Sequence, residues 1–309
     1  MKQNTAMANR LIKNYKKLKN WLGEKHTNCY RLYDRDLQEI PYIIDIYDKY
    51  AVIYEKGKQI EGLESKRSET QKSISLALQT SLGLMEDNFY FKIREKQKGT
   101  IQYQKDKFNA KKVTVKENNL LFEIDLTTYL DTGLFMDHRP LRKIIRKEAE
   151  NKKVLNLFSY TGAISVYAAA GGAKTTSVDL SNTYLEWSMR NFNLNNIPTG
   201  THRFIKADIL QFLQDFDEKY DIIILDPPSF SNSKSMEVTW DVQRDHQMII
   251  EQCMRLLEAD GTLYFSTNKR GFKLGELDYK IKNMTANSIP QDFRDQKIHQ
   301  LYQIKRGPK

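Results

Sequence analysis

Cysteine is nearly absent. Cys29 and Cys253 are the only two in 309 residues, far apart and in neither a CxxC nor a metal-ligand pattern, which argues against a disulfide framework and a thiolate-held zinc site. The five histidines, His26, His138, His202, His246 and His299, show no ligand spacing, and no metal is expected. No apolar run approaches the ~20 residues needed to span a bilayer, so no membrane span is expected. The N-terminal "MKQNTAMANRLIKNYKK" is basic but has neither an apolar h-region nor a small-residue cleavage site, and a cytoplasmic location is the expectation.

What remains is a soluble globular composition, 40% hydrophobic and 28% charged, long enough for one large domain or two of ordinary size. The net charge is +10 and unevenly spread. Residues 1–126 hold 24 Lys/Arg against 17 Asp/Glu (24 − 17 = +7), and the remainder 25 against 22 (+3). Two segments concentrate the excess: "RLIKNYKKLK" at 10–19, and "KIREKQKGTIQYQKDKFNAKK" at 92–112, where Tyr103 and Phe108 sit among Lys96, Lys98 and Lys105. Bases interleaved with aromatics suit a polyanion whose own rings can stack. A solvated lysine-rich face would read the same way.

Leu11, Tyr15, Leu18 and Leu22 recur at helical spacing, predicting a helix over 7–22 with Gly23 as its stop. Strands are expected at 29–33, 41–47, 50–55, 89–94, 111–116 and 120–126, around a helix near 64–82, with "KENN" as a hairpin turn. From "KVLNLF" onward strand and helix alternate through "TTSVDL", "RFIKAD", "YDIIILD" and "TLYFSTN", and "QKIHQLYQIKR" adds a closing strand. Strict βα alternation predicts a doubly wound α/β sheet. The expected organisation is a basic helix (1–27), a smaller α+β accessory and RNA-binding domain (28–127), and a Rossmann-like domain (128–309).

The stretch "KYDIIILDPPSFSNSK" runs an unalternating strand, buried on both faces, straight into Asp226, Pro227 and Pro228. The prolines cannot donate to a ladder and stiffen the loop at the strand's carboxyl edge, where open α/β sheets bind ligands. In "KVLNLFSYTGA" a strand enters a polar turn with Gly162 and then an Ala-rich helix. The turn lacks G-x-G-x-x-G, so a dinucleotide's pyrophosphate has no usual seat. Asp179 ends the second strand, where an acid can accept from ribose hydroxyls; Asp208 and Asp226 follow the third and fourth. These acids suit S-adenosylmethionine, with its ribose, adenine amine and sulfonium. Each could instead cap the following helix.

With "DPPSFSNSK" added to "NLFSYTGA", "SVDLSNTYLEW" and "NKRGF", the chain resembles the class I S-adenosylmethionine-dependent ribosomal RNA methyltransferases. Within them it is most similar to the guanine-N7 methyltransferases of the large subunit, also found as the K half of a fused two-enzyme protein. "YLDTGLFMDHRPLR" and "VQRDH" match in order, and the likeness reaches back through "REKQKG", "QYQK" and "CYRLYDRDL" to "MANRLIKN".

The resemblance implies that Arg139 reaches the methionine carboxylate, with Phe135 and Asp137 shaping that wall. It implies a cofactor loop of Phe158, Ser159, Tyr160, Thr161 and Gly162, a ribose site at Asp179 and Leu180, and an adenine site at Asp208 and Ile209. Asp226, Pro227 and Phe230 would line the pocket where base meets methyl group. Lys96, Lys98, Tyr103, Lys105, Lys269 and Arg270 would contact RNA, the partner being 23S ribosomal RNA or a large-subunit precursor. Asn156 stands where many relatives carry an acid, and the second enzyme of the fused form is absent, leaving a fused or separate partner domain open.

Guanine N7 carries a free lone pair, so its methylation needs no general base, and in-line positioning can supply ~7–11 kcal/mol. Cytosine C5 methylation needs an attacking thiolate, yet Cys253 falls on the apolar stripe Ile249, Ile250, Leu256, Leu257 and Cys29 lies in the small domain. Adenine N6 and guanine N2 share the Pro-Pro-aromatic motif and stay open. So does a non-catalytic RNA-binding or assembly module.

Overall fold

The computed structural model describes residues 2–56, 64–93, 110–231 and 239–307. The chain divides into two compact units, Met1–Met136 with Gln291–Arg294, and Asp137–Pro290 with Asp295–Lys309.

The first unit begins with α1 (Lys2–Glu24). Met7, Leu11, Leu18 and Leu22 line its buried face and share one core with Ile74, Ala77 and Leu78, so the basic helix is part of this unit's packing and not a separate arm. The helix outlasts Gly23. Its left-handed terminating residue is His26 (φ 46°), and Thr27 N donates to Leu22 O at 3.0 Å, the backbone closure that usually recruits glycine.

Strands β1 (Cys29–Asp34), β2 (Tyr42–Tyr47) and β3 (Tyr50–Glu55) form an antiparallel meander. Helix α2 (Glu64–Leu82) then leads to β4 (Phe89–Ile93), which pairs parallel with β3. The hairpin of β5 (Lys112–Glu117) and β6 (Leu120–Asp125) turns on Asn118 and Asn119, both at positive φ (49° and 66°). Two consecutive left-handed residues make the tight turn whose twist suits a two-residue hairpin. Beyond it the chain folds back, with Asp125 N donating to Thr132 O at 2.9 Å. The unit therefore extends to Met136, past the change of pattern near 127. Residues 291–294 also belong here: Asp292 Oδ2 accepts from Arg31 N at 3.0 Å, and the Arg31 guanidinium lies over Phe293.

The second unit opens with α3 (Arg139–Glu148) and then alternates: β7 (Lys153–Leu157), α4 (Ala163–Ala170), β8 (Lys174–Asp179), α5 (Asn182–Leu194), β9 (Arg203–Lys206), α6 (Ile209–Asp215) and β10 (Tyr220–Leu225). A two-residue ladder follows, β11 (Phe230–Ser231) with β12 (Trp240–Asp241), then α7 (Val242–Arg255) and β13 (Leu257–Thr267). The chain closes with β14 (Lys280–Asn283), the short α8 (Thr285–Ser288) and β15 (Gln300–Lys305). The sheet order is β14-β15-β13-β10-β7-β8-β9. The five strands from β13 to β9 are parallel, and β15 and β14 close one edge antiparallel. The expected closing strand is β15; β14 is an addition that its Lys- and Asn-rich sequence hid.

The doubly wound fold is thus as expected. Along β10, Ile223 and Leu225 pack into the core with α6 and α7, while Ile222 and Ile224 pack into the core with α3 and α4. A strand covered on both faces has no polar side to alternate with. Each isoleucine taken from water contributes about 1.5–3 kcal/mol. Strand order reverses between β7 and β10, so their carboxyl ends form the crevice that doubly wound sheets use for ligands. Among the described residues no helix is long and apolar enough to cross a membrane.

Candidate active site

Two segments meet at that crevice: Phe158–Gly162 after β7, and Asp226–Phe230 after β10. Leu157 and Leu225 are paired neighbours, so Phe158 and Asp226 leave adjacent strands side by side.

The first segment is wound tightly. Phe158, Tyr160 and Gly162 all have positive φ (55°, 49° and 71°), the left-handed region that side chains other than glycine occupy at a cost of about 1–3 kcal/mol. The winding is held by Ser159 N on Val178 O (3.0 Å), Gly162 N on Ser159 O (2.9 Å) and the Asn191 amide on Thr161 O (2.9 Å). The Tyr160 ring meets Tyr184 edge-on at 4.6 Å. Asp179 ties the loop to β8: Oδ2 accepts from Tyr160 N (2.8 Å) and Oδ1 from Ser181 N (2.9 Å). Burial pushes the Asp179 pKa above the usual aspartate value, while the backbone N–H groups of Ser181, Tyr160 and Leu180 pull against it. With three backbone donors on its two oxygens, the carboxylate keeps acceptor capacity for one hydroxyl donor. Ser159 Oγ is buried and has no partner among the described residues, an open hydrogen-bonding position in the middle of the loop.

Asp208 is the helix cap that the sequence allowed. Its Oδ1 caps α6, accepting from Leu210 N (2.9 Å) and Gln211 N (3.2 Å), and Oδ2 accepts no hydrogen bond among the described residues. Ile209 is buried beneath it. Asn156 acts structurally: its amide donates to Ser165 Oγ (2.9 Å), which meets Ser177 Oγ (2.7 Å), a buried chain that knits β7, α4 and β8 together.

In the second segment Pro227 is buried and Phe230 is 56% exposed, so Phe230 does not belong to the core. Its platform is braced from four sides. The Trp240 indole donates to Pro228 O (2.7 Å), Val242 N to Ser229 O (3.2 Å) and Ser229 Oγ to Asn268 Oδ1 (2.6 Å), while Lys269 Nζ grips both oxygens of Asp241 (2.7 and 2.8 Å). Asp241 in turn caps α7. Lys269 thus spends its charge at home, and Arg270 is paired with Asp295. Lys96, Lys98, Tyr103 and Lys105 lie outside the described residues.

Asp226 stands between the two segments. Ser266 Oγ donates to its Oδ1, and His138 Nε2 lies 3.4 Å from its Oδ2. Asp137 reaches the same neighbourhood through His299, whose Nδ1 is 3.0 Å from Asp137 Oδ2. Arg139, at the start of α3, is buried (2% exposed). Phe135 belongs to the first unit and is 41% exposed.

The sequence reading missed the two histidines. They are 161 positions apart (299 − 138 = 161), and only the closing strand brings them together. Asp137, His138 and His299 present ligand atoms within 4.8 Å of one another. The two rings lie 4.7 Å apart and within 11° of parallel, a stacked pair. Three of the four ring nitrogens face protein partners: Asp226, Asp137 and, at 2.8 Å, Ser288 Oγ.

A left-handed loop, a strand-end acid beside it and a Pro-Pro-aromatic turn thus meet at the switch point of the sheet. The chain belongs to the S-adenosylmethionine-dependent methyltransferase family, whose profile matches residues 91–291. Within it the chain belongs with the ribosomal RNA large subunit methyltransferase K proteins. The protein of that name from Neisseria meningitidis serogroup B is 42% identical over 97% of this chain and 87% of its own length. "Ribosomal RNA large subunit methyltransferase K/L" from Alteromonas mediterranea is 45% identical over 98% of this chain. The chain spans only 44% of that fused relative. Among solved structures, SMU.776, described as a methyltransferase and solved with SAH, is similar at a TM-score of 0.76 and 24% identity, covering 98% of this chain and 81% of that one.

Proposed function

We propose that this chain transfers a methyl group from S-adenosylmethionine to N7 of a guanine in 23S ribosomal RNA, in the cytoplasm, as free RNA or within a large-subunit precursor. The observation that carries the reading is Asp226, oriented by Ser266 and His138 beside the left-handed loop and ahead of an exposed Phe230, with no thiol at either segment.

S-adenosylmethionine, when bound, supplies an electrophilic methyl on a cationic sulfur. Asp179 would hold the ribose and Asp208 with Ile209 the adenine; Ser159 through its open hydroxyl, with Arg139 and Asp137, would hold the amino-acid end. The orphaned buried Ser159 Oγ is the feature of this chain that such a ligand would satisfy. Asp226 would face the positive charge of the donor, where a carboxylate is favourable. Phe230 would take the stacking face of an extruded base, and Pro227 and Pro228 would keep that face from drifting. A neutral N7 attacks without losing a proton, so these residues need only align and desolvate.

A carbon target is disfavoured chemically. Cys253 is fully buried on the core face of α7, where burial drives its thiol pKa far up, and Cys29 is buried in the first unit with its Sγ on Lys116 O. RNA would be drawn by the basic segments 10–19 and 92–112. On α1, Lys13, Lys16, Lys17 and Lys19 are exposed, as backbone-phosphate contacts require. The second enzyme of the fused relatives would act from a separate chain or an attached domain. Nucleoside mass spectrometry of 23S RNA from a strain lacking the protein tests the reading. One 7-methylguanosine should be lost, and an unchanged nucleoside profile would refute it.

A further inference from the structure

Asp226 has two protein neighbours, and the less obvious one is the more informative. Ser266, on the strand beside β10, donates to Oδ1. His138, in the turn before α3, brings Nε2 to 3.4 Å from Oδ2, long for a hydrogen bond in the free protein but of a kind that tightens when a site fills. The imidazole is buried, and its Nδ1 has no partner among the described residues.

Those facts fix the tautomer. A proton on Nδ1 would be a buried donor with no acceptor, and it would turn the Nε2 lone pair toward a carboxylate. A proton on Nε2 faces Asp226 and leaves only an under-used lone pair inside, the cheaper of the two defects. Burial lowers the His138 pKa below 6.5, against the pull of Asp226 and Asp137 and with the help of His299 and Arg142, in keeping with a ring that stays neutral.

Ring orientation is fixed independently. His138 stacks on His299 at 4.7 Å and 11°, and His299 is pinned at both nitrogens, by Asp137 (3.0 Å) and Ser288 (2.8 Å). We propose that His138 is the positioning residue of Asp226: a neutral Nε2–H donor, turned by the His299 stack toward Oδ2, that with Ser266 on Oδ1 fixes the plane of this carboxylate. What Asp226 faces rests on the function proposed above; the orientation itself is a property of this chain's own side chains.

Two substitutions separate donor from packing. His138→Phe keeps a ring to stack on His299 and removes the proton; His138→Gln keeps an amide donor near the Nε2 position. With 23S RNA from the deletion strain as substrate, the Phe variant should lose about 10- to 100-fold in kcat, the scale of a small misplacement. It should bind SAH by calorimetry within about threefold of wild type, and Gln should recover most of the loss. Nitrogen-15 NMR of the histidines should show His138 as the neutral Nε2–H tautomer at neutral pH. An Nδ1–H tautomer, a Phe variant with wild-type kcat, or a Gln variant as slow as Phe would overturn the inference. Wild-type protein that shows the expected tautomer but methylates no 23S RNA would reject the functional reading while upholding the orientation.

Discussion

A Cβ built on Gly162 would fall 1.8 Å from Ser188 Oγ and 2.7 Å from Ser188 Cβ. The start of α4 therefore packs onto α5 with no room for a side chain, and Gly162 also sits at φ +71°. Two separate constraints demand glycine here, and both act on the loop that follows β7.

Gly162→Ala should accordingly destabilise the protein by about 1–3 kcal/mol, the range for overpacking a close contact. Affinity for SAH should fall at the same time, because the helix must move away from the loop. Denaturant titration and calorimetry on the same preparation check this. Gly200, where an added Cβ meets nothing within 4 Å, is the control site for an equivalent substitution.

Asp179 carries the pH prediction. Its pKa is raised by burial, so the carboxyl takes up its proton at a higher pH than an ordinary aspartate, and SAH affinity should weaken correspondingly early on acidification. For folding the sign is reversed: an acid whose pKa is raised in the folded state favours that state when protonated, so the ionised form costs stability at neutral pH. Asp179→Ala should lose SAH binding by at least about tenfold, as loss of a charged hydrogen-bonding group does. Calorimetric titrations across the acid range give both results.

The Trp240 indole braces Pro228 O at 2.7 Å. Trp240→Phe retains a ring and leaves that carbonyl without its donor, at a cost of about 1–3 kcal/mol if it stays dry. Since the brace sets the Phe230 platform and touches none of the cofactor acids, turnover of RNA should fall while SAH affinity holds. Equal losses in both would remove the platform role.

Cys253→Ala, alone or with Cys29→Ala, should leave methyl transfer intact and lower stability by about 1 kcal/mol or more, because Cys253 fills core volume on the buried face of α7. Loss of transfer without loss of fold would revive thiolate chemistry.

Much of this was legible in the sequence, for reasons that differ by element. The unalternating Ile222–Leu225 announced a parallel strand because both of its faces are covered, and Asp179, Asp208 and Asp226 marked the carboxyl ends of β8, β9 and β10, where βα units turn. The helix stop at His26 was hidden because a histidine took the left-handed position that Gly23 advertised. Strand β14 was hidden because an edge strand of lysine and asparagine carries no apolar signal. Asp208 proved to be the cap of α6, as an acid just ahead of a helix can be. The pair His138 and His299 escaped altogether, since a stack between a turn ahead of α3 and the residue ahead of β15 leaves no spacing to detect.

The central claim is the atom that receives the methyl group. Protein, S-adenosylmethionine with a trideuterated methyl and 23S RNA from a deletion strain should yield one labelled 7-methylguanosine on nuclease digestion and mass spectrometry. Label on C5 of cytidine, or on an exocyclic amine, would contradict the account.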